Sequence, residues 1–251
     1  MPAFFCPVVK EKQRAASLRI KFFLSLSTVV GFLVCAPALA DGVEPETTVI
    51  VLNEADGEVS MNVKNTDATP VLLHSAIENI PEDGEPLVVI TPPVARVDAG
   101  ERQMVRFLFI GDSPLKTQRL KRATFEGIAQ ARPGSGATIG ISLRQNLPLI
   151  LHPKGLPLHH APWELLTWHL QGKTLSVRND SAYVVRLADE VVLKPLQRKV
   201  YLPRTYVLPG ETLSVPMDTA PVGATGVSIS PATVYGFTVE NYEAPIVAAA
   251  Q

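Results

Sequence analysis

The sequence predicts an all-β protein made of two consecutive β-sandwiches, and three observations carry that reading. Apolar residues recur at every second position in short runs, not at helical spacing. The 22 prolines and 16 glycines fall mostly between those runs, as turn punctuation. The runs form two groups, separated by the Pro/Gly-rich stretch "HPKGLPLHHAP" (152–162), which reads as a domain boundary. A chain of 251 residues is long enough to bury two such cores.

The first forty residues read as lying outside the fold. Lys10, Lys12, Arg14, Arg19 and Lys21 precede the apolar run "FFLSLSTVVGFLVCA" (22–36), and "ALA" (38–40) follows it. A basic region, an apolar core too short for a membrane span and a small-residue site make a secretory signal peptide, residues 1–40, cleaved after Ala40. Export to the periplasm is the expectation. Both cysteines, Cys6 and Cys35, lie in that segment, so the cleaved chain holds no disulfide and folds on its core alone. The segment also takes five of the 23 Lys/Arg and one of the 24 Asp/Glu, leaving a net acidic chain. A surface built for nucleic acid is excluded on that balance.

The strands follow in order. "TTVIVL" (47–52) and "VSMNVKN" (59–65) flank the turn "NEADGE" and predict a hairpin. "VLLHSAI" (71–77) is the third strand, and "LVVITPPVARV" (87–97) the fourth, stopped by a proline pair. "QMVRFLFI" (103–110), "TFEGIAQA" (124–131) and "IGISLRQNLPLIL" (139–151) complete a set whose count matches an immunoglobulin-like sandwich. Beyond the boundary, "LTWHLQ" (166–171), "TLSVRN" (174–179), "YVVRLADEVVL" (183–193), "RTYVLPG" (204–210), "TLSVPM" (212–217) and "VYGFTVEN" (234–241) supply a second, smaller set. Trp163 and Trp168 are expected to pack between the domains.

The last strand of the first set asks for a function. Its odd positions are Ile139, Ile141, Leu143, Gln145, Leu147, Leu149 and Leu151, one long apolar face. Pro148 has no N–H for a ladder, which places the strand at an edge or breaks it there. Sheets normally blunt their edges with charge and short length.

Catalytic patterns are missing: no GxSxG, HExxH, CxxC or glycine-rich phosphate loop occurs. His159 and His160 are adjacent and would point to opposite sides of an extended segment, a poor basis for a shared metal. No enzyme, cofactor or metal site is expected.

Several stretches in order resemble the PapD-like periplasmic chaperones of the chaperone–usher pathway. They are "ITPPVARVDAGERQMVRF" (90–107), the alternating strand that closes on Pro153, "RNDSAYVV" (178–185) and "VLPGETLSV" (207–215). The resemblance implies two immunoglobulin-like β-sandwich domains in a boomerang arrangement, residues 41–156 and 157–251. It implies a chaperone that binds and stabilises fimbrial or pilus subunits without ATP and delivers them to an outer-membrane usher. Binding would proceed by donor-strand complementation, with Ile139, Ile141 and Leu143 entering the subunit's core. Without a client, the apolar edge is expected to be covered by self-association. A secreted Ig-like adhesin or carbohydrate-binding module is the alternative.

Departures from the family pattern matter equally. The family holds the subunit's C-terminal carboxylate with an Arg and a Lys, and these positions fall on Thr48 and Pro148. Arg144 shares the strand parity of Pro148, so Arg144 with Thr48 is the candidate carboxylate anchor. Arg106 matches a buried family arginine whose acidic partners would fall near Leu120 and Val234, so that interdomain ion pair is expected to be lost. Together the losses point to a divergent member of archaic type, and the short "RPGSGA" loop argues against the long-loop subclass.

Overall fold

A computed structural model describes residues 42–129, 143–233 and 239–248 of the chain. Two sheets form the first sandwich. One holds β1 (Val43–Pro45), β3 (Glu58–Asn65), β7 (Arg102–Phe109) and β5 (Val88–Thr91) in that order. The other holds β2 (Ile50–Asn53), β9 (Arg144–His152), β8 (Arg119–Ala129), β4 (Val71–Asn79) and β6 (Val94–Val97). Period-two alternation sends Met61, Val63, Val105 and Phe107 from the first sheet against Leu73, Phe125, Leu147, Leu149 and Leu151 from the second. Phe107 and Phe125 meet edge to face, ring centroids 6.4 Å apart. Each such side chain stabilises the fold by roughly 1.5–3 kcal/mol.

Three sequence expectations are corrected here. The hairpin over 47–65 does not form, because β2 and β3 belong to different sheets: β2 runs parallel to β9, and β3 pairs with β1 and β7. The run 87–97 is two strands: β5 pairs with β7, and β6 pairs with β4 in the opposite sheet. Pro92 and Pro93 lie between them, and their missing N–H groups interrupt the ladder where the chain changes sheets. The strand read as starting at Thr124 starts at Arg119, five residues earlier. Its first turn of sequence, "RLKRA", is charged but buried, because Lys121 donates to the carbonyls of Asp83 (2.9 Å) and Glu85 (2.7 Å) and pairs with the Asp83 carboxylate at 3.0 Å. Most of the strand read over 234–241 lies outside the described residues, and a further strand, not read from the sequence, runs over Tyr242–Ala248.

The second sandwich has a seven-stranded sheet: β14 (Arg198–Tyr201), β13 (Glu190–Lys194), β17 (Gly226–Ile229), β19 (Tyr242–Ala248), β10 (Leu166–Gln171), β11 (Thr174–Asn179) and β16 (Glu211–Pro216). Against it lie β15 (Tyr206–Val207), β12 (Val185–Leu187) and β18 (Pro231–Ala232). Trp163 and Trp168 sit in this sandwich's own core with Leu175, Val177 and Val191, not between the domains. They fill a core that has few other large side chains.

Both sandwiches use one device at a strand end. Asn65 closes β3 and Asn179 closes β11, and both are fully buried. Asn65 Nδ2 donates to the carbonyls of Thr69, Val97 and Asp98. Asn179 Nδ2 donates to those of Tyr183 and Val207. In each case Oδ1 accepts from the backbone N–H two residues on, at Asp67 and Ser181. The asparagine carbonyls accept from Gly100 and Gly210, whose φ of 77° and 74° suits glycine alone.

A small apolar cluster joins the sandwiches. Val49, Ile80, Leu120 and Ile150 of the first pack with Val184 of the second, flanked by Tyr206 and Leu208. Beside it, Arg204 bonds Glu82 across the junction as well as Glu211 in its own sandwich. Tyr206 donates its hydroxyl to Glu82 at 2.8 Å, and the Arg204 guanidinium lies 4.7 Å from the Tyr206 ring centre. Burial pushes the Glu82 carboxyl up, but the Tyr206 hydroxyl and Arg204 outweigh it and hold it below the usual range. An interdomain ion pair is thus present, at a different place from the one read as lost. Arg106, matched to the family's buried arginine, is exposed.

Candidate functional site: the open edge of β9 and the junction beside it

β9 runs through Pro148 without a break and pairs with β8 from Arg144 to Leu151. On its other side β2 pairs only with Leu149–His152. From Arg144 to Pro148 the outer edge of β9 has no strand partner among the described residues. The reason is local: β2 is four residues long.

The odd residues Leu147, Leu149 and Leu151 fill the first core. Leu143 continues that row and is 54% exposed. Ile139 and Ile141 lie outside the described residues. The even residues lie on the other face of β9, where Ile150 packs in the junction cluster. Register extends that face across three strands: Arg144, Asn146 and Pro148 on β9 stand opposite Glu126, Thr124 and Arg122 on β8, and Arg122 stands opposite Glu78 on β4.

The structure does not bring Arg144 and Thr48 together. Arg144 turns toward β4, where it bonds Glu78, and it also donates to the Thr124 hydroxyl at 3.2 Å. Thr48 is exposed on the opposite side of β9, two residues before Ile50. Arg144 would meet a carboxylate only by giving up Glu78.

Sequence reasoning passed over a different pair, Arg122 and Arg186. Arg122 donates from Nε to Asn146 Oδ1 (2.6 Å) and from Nη2 to Asn146 O (2.8 Å), so its guanidinium lies over β9. Arg186, on β12, donates to the Thr233 carbonyl at 3.5 Å. Burial holds both below the usual arginine value, Arg122 against the pull of Tyr206 and Glu78, and Arg186 with the charge of Arg122 adding to the effect. One signal was available: Arg122 has the parity of buried Leu120, and Arg186 that of buried Val184. Among the described residues no group of three His, Cys, Asp or Glu side chains is placed to hold a metal. His159 instead packs on Tyr183, ring centres 5.4 Å apart.

Two consecutive sandwiches, with a strand edge left unpaired at Arg144–Pro148 beside their junction, define the class of two-domain immunoglobulin-like proteins. Residues 42–157 match the N-terminal domain model of the PapD pili and flagellar-assembly chaperones, and residues 161–243 match its C-terminal domain model. The chain belongs to this family, and its role is that of a pilus-assembly chaperone. It is 38% identical over 205 residues to the uncharacterized fimbrial chaperone YhcA of Escherichia coli K12, covering 81% of this chain and 90% of that one. A solved chain of the Salmonella enterica SafA pilin–SafB chaperone complex superposes with a TM-score of 0.68 at 19% identity, covering 83% of this chain and 98% of that one. The E. coli chaperone DraB gives 0.65 at 21% identity, over 81% and 96%. At those identities the two structures speak for the fold. Membership decides against the adhesin alternative.

Proposed function

We propose that the chain loses residues 1–40 on export and works in the periplasm by strand addition. An unfinished fimbrial subunit pairs with the outer edge of β9, and an outer-membrane usher then receives it. Ile139, Ile141 and Leu143 donate their side chains to the subunit's groove. The observation that carries this reading is the unpartnered edge at Arg144–Pro148, with Leu143 exposed in line with a buried row. Sheet edges of this kind pair with another chain unless something prevents it. The work is binding, with no ATP and no covalent step. In the absence of a client, a second copy is the expected cover for the edge.

Co-expression with a candidate fimbrial subunit, followed by pull-down, tests the reading. Ile141→Asp and Leu143→Asp should each abolish capture while leaving circular dichroism unchanged, because a carboxylate buried in an apolar groove costs several kcal/mol. Capture that survives both substitutions would remove these positions from the donor strand.

A further inference from the structure

We infer that Gln145 is a register stop on β9, the residue that fixes how far along the strand a subunit's groove can sit. The inference rests on the strand-addition reading and adds a positioning residue to it.

The observation is a reversal of polarity along one face. Leu151, Leu149 and Leu147 of the odd row are buried in the first core. Gln145 follows, part-buried, opposite the fully buried Phe125. Leu143 comes next and is 54% exposed. A row that leaves a core for water normally turns polar and stays polar as exposure rises. Here the polar side chain stands at the rim of the core, and the more exposed position beyond it is apolar. In the sequence the same parity continues upstream with Ile141 and Ile139, then Ala137 and Ser135. Three large apolar residues are thus set off from the protein's own core by one carboxamide, and the row ends on the other side in small residues.

Backbone pairing alone leaves the register open. Side chains alternate with period two, so a slip of two residues keeps every face and repeats the ladder. Nor does β2 prevent a slip, because it begins pairing at Leu149 and the edge is unpartnered from Arg144 to Pro148 among the described residues. A groove that takes Ile139, Ile141 and Leu143 has room to slide toward β2 and take Ile141, Leu143 and Gln145 instead. That slide carries a carboxamide, with two N–H donors and an acceptor oxygen, into an apolar groove that offers it no partner. An unpaired group of this kind weakens binding roughly ten- to a hundredfold. In the register that ends at Leu143, the carboxamide stays at the seam between the two cores, where its position on β9 is part-exposed. A slip the other way exchanges Leu143 for Ala137 and buries less apolar surface. Gln145 therefore closes the one direction that the open edge and the apolar row leave free.

The probe is the co-expressed fimbrial subunit of the pull-down above, and the readout is subunit captured per chaperone. Ile139→Asp should lower capture roughly a hundredfold or more, because the first donor position then carries a charge into the groove. Adding Gln145→Leu should restore capture, since the groove can slide to positions 141, 143 and 145 and leave position 139 outside. Adding Gln145→Asn, which keeps the carboxamide, should restore nothing. Leu143→Asp combined with Gln145→Leu should stay inactive, because position 143 lies in the groove in both registers. Gln145→Leu alone should match the unsubstituted chain in capture and in circular dichroism, and Gln145→Val replaces it if the longer apolar row drives self-association. A solvated side chain with no positioning role predicts no rescue. If the unsubstituted chain captures the subunit and Ile139→Asp does not, yet Gln145→Leu and Gln145→Val both fail to rescue, the register stop is wrong and the strand-addition reading stands. Rescue by Gln145→Asn, or of Leu143→Asp, would also overturn the register stop. No capture by the unsubstituted chain, or normal capture by Ile139→Asp alone, would sink the donor-row reading itself and the register stop with it.

Discussion

Gln118 ties the two sandwiches through Val184. Its Oε1 accepts the Val184 N–H at 2.8 Å, and its own N–H donates to the Ala182 carbonyl at 2.8 Å. Its Nε2 donates to His152 Nδ1 at 2.9 Å, while His152 Nε2 donates to the Leu156 carbonyl at 2.9 Å. One buried side chain thus connects the start of β8, the end of β9 and the entry to β12. Gln118→Ala leaves the Val184 N–H and His152 Nδ1 without these partners in a dry site. A loss of about 1–3 kcal/mol is expected in urea unfolding, because an unsatisfied buried group costs that much. A change below about 0.5 kcal/mol would show that water replaces the amide.

Asn65 and Asn179 make a paired test. Asn→Asp at either position keeps Oδ1 as an acceptor but turns Nδ2 into a second oxygen facing two or three carbonyls. Asn65→Asp and Asn179→Asp should therefore each destabilise by several kcal/mol at neutral pH, more than Asn→Ala at the same site. Both should recover partly in acid, where the carboxyl is protonated and donates again. Thermal melting of the four variants at neutral and acid pH decides it; an aspartate no worse than alanine would contradict the bonding described.

Asp83 controls the acid limb of stability. Burial pushes its carboxyl up, but hydrogen bonds from Arg119 and Lys121, with their charges, hold it below the ordinary value. Above the ordinary carboxylate range Asp83 is ionised in both folded and unfolded chains, and the pairing contributes in full. As the pH falls toward the lowered folded value, the unfolded chain takes up the proton first, and that stability drains away. Asp83→Asn should flatten this part of the stability–pH curve. It should also destabilise the protein at neutral pH, by about 3–5 kcal/mol, because the fully buried Lys121 ammonium loses its counter-charge. Equilibrium unfolding at a series of pH values reads both effects; parallel curves for the two proteins would refute the assignment.

Leu143 and Leu149 share one row of β9 and should behave oppositely. Leu149 is fully buried, so Leu149→Ala should cost about 2–5 kcal/mol. Leu143 is 54% exposed, and Leu143→Ala should change stability by less than about 0.5 kcal/mol while weakening capture of a subunit. Denaturant midpoints set beside pull-down yields separate the two roles; a comparable loss of stability at both positions would make Leu143 a core residue.

The sequence alone determined the all-β class, the two groups of strands and the buried row Leu147, Leu149 and Leu151, because period-two alternation and proline punctuation are written locally. Runs such as "VSMNVKN" and "TLSVRN" fold as strands wherever they are placed, and the alternating row of β9 declares its two faces. Partnership was not local. The turn "NEADGE" joins β2 to β3 in either topology, and only the closed sandwich sends β2 to the far side of β9. Nothing in the sequence around Lys121 signals its burial, which depends on Asp83, 38 residues earlier. Arg144 read as the anchor for a subunit carboxylate, and tertiary structure gave it Glu78, 66 residues away in sequence. Arg122 and Arg186 come near enough to influence one another because β8 and β9 of one sandwich pack through Leu120 and Ile150 on Val184 of the other, a contact that no periodicity encodes. A strand's faces follow from backbone geometry within a few residues, whereas the charge that stands opposite a side chain depends on which distant strand the burial of apolar surface brings there.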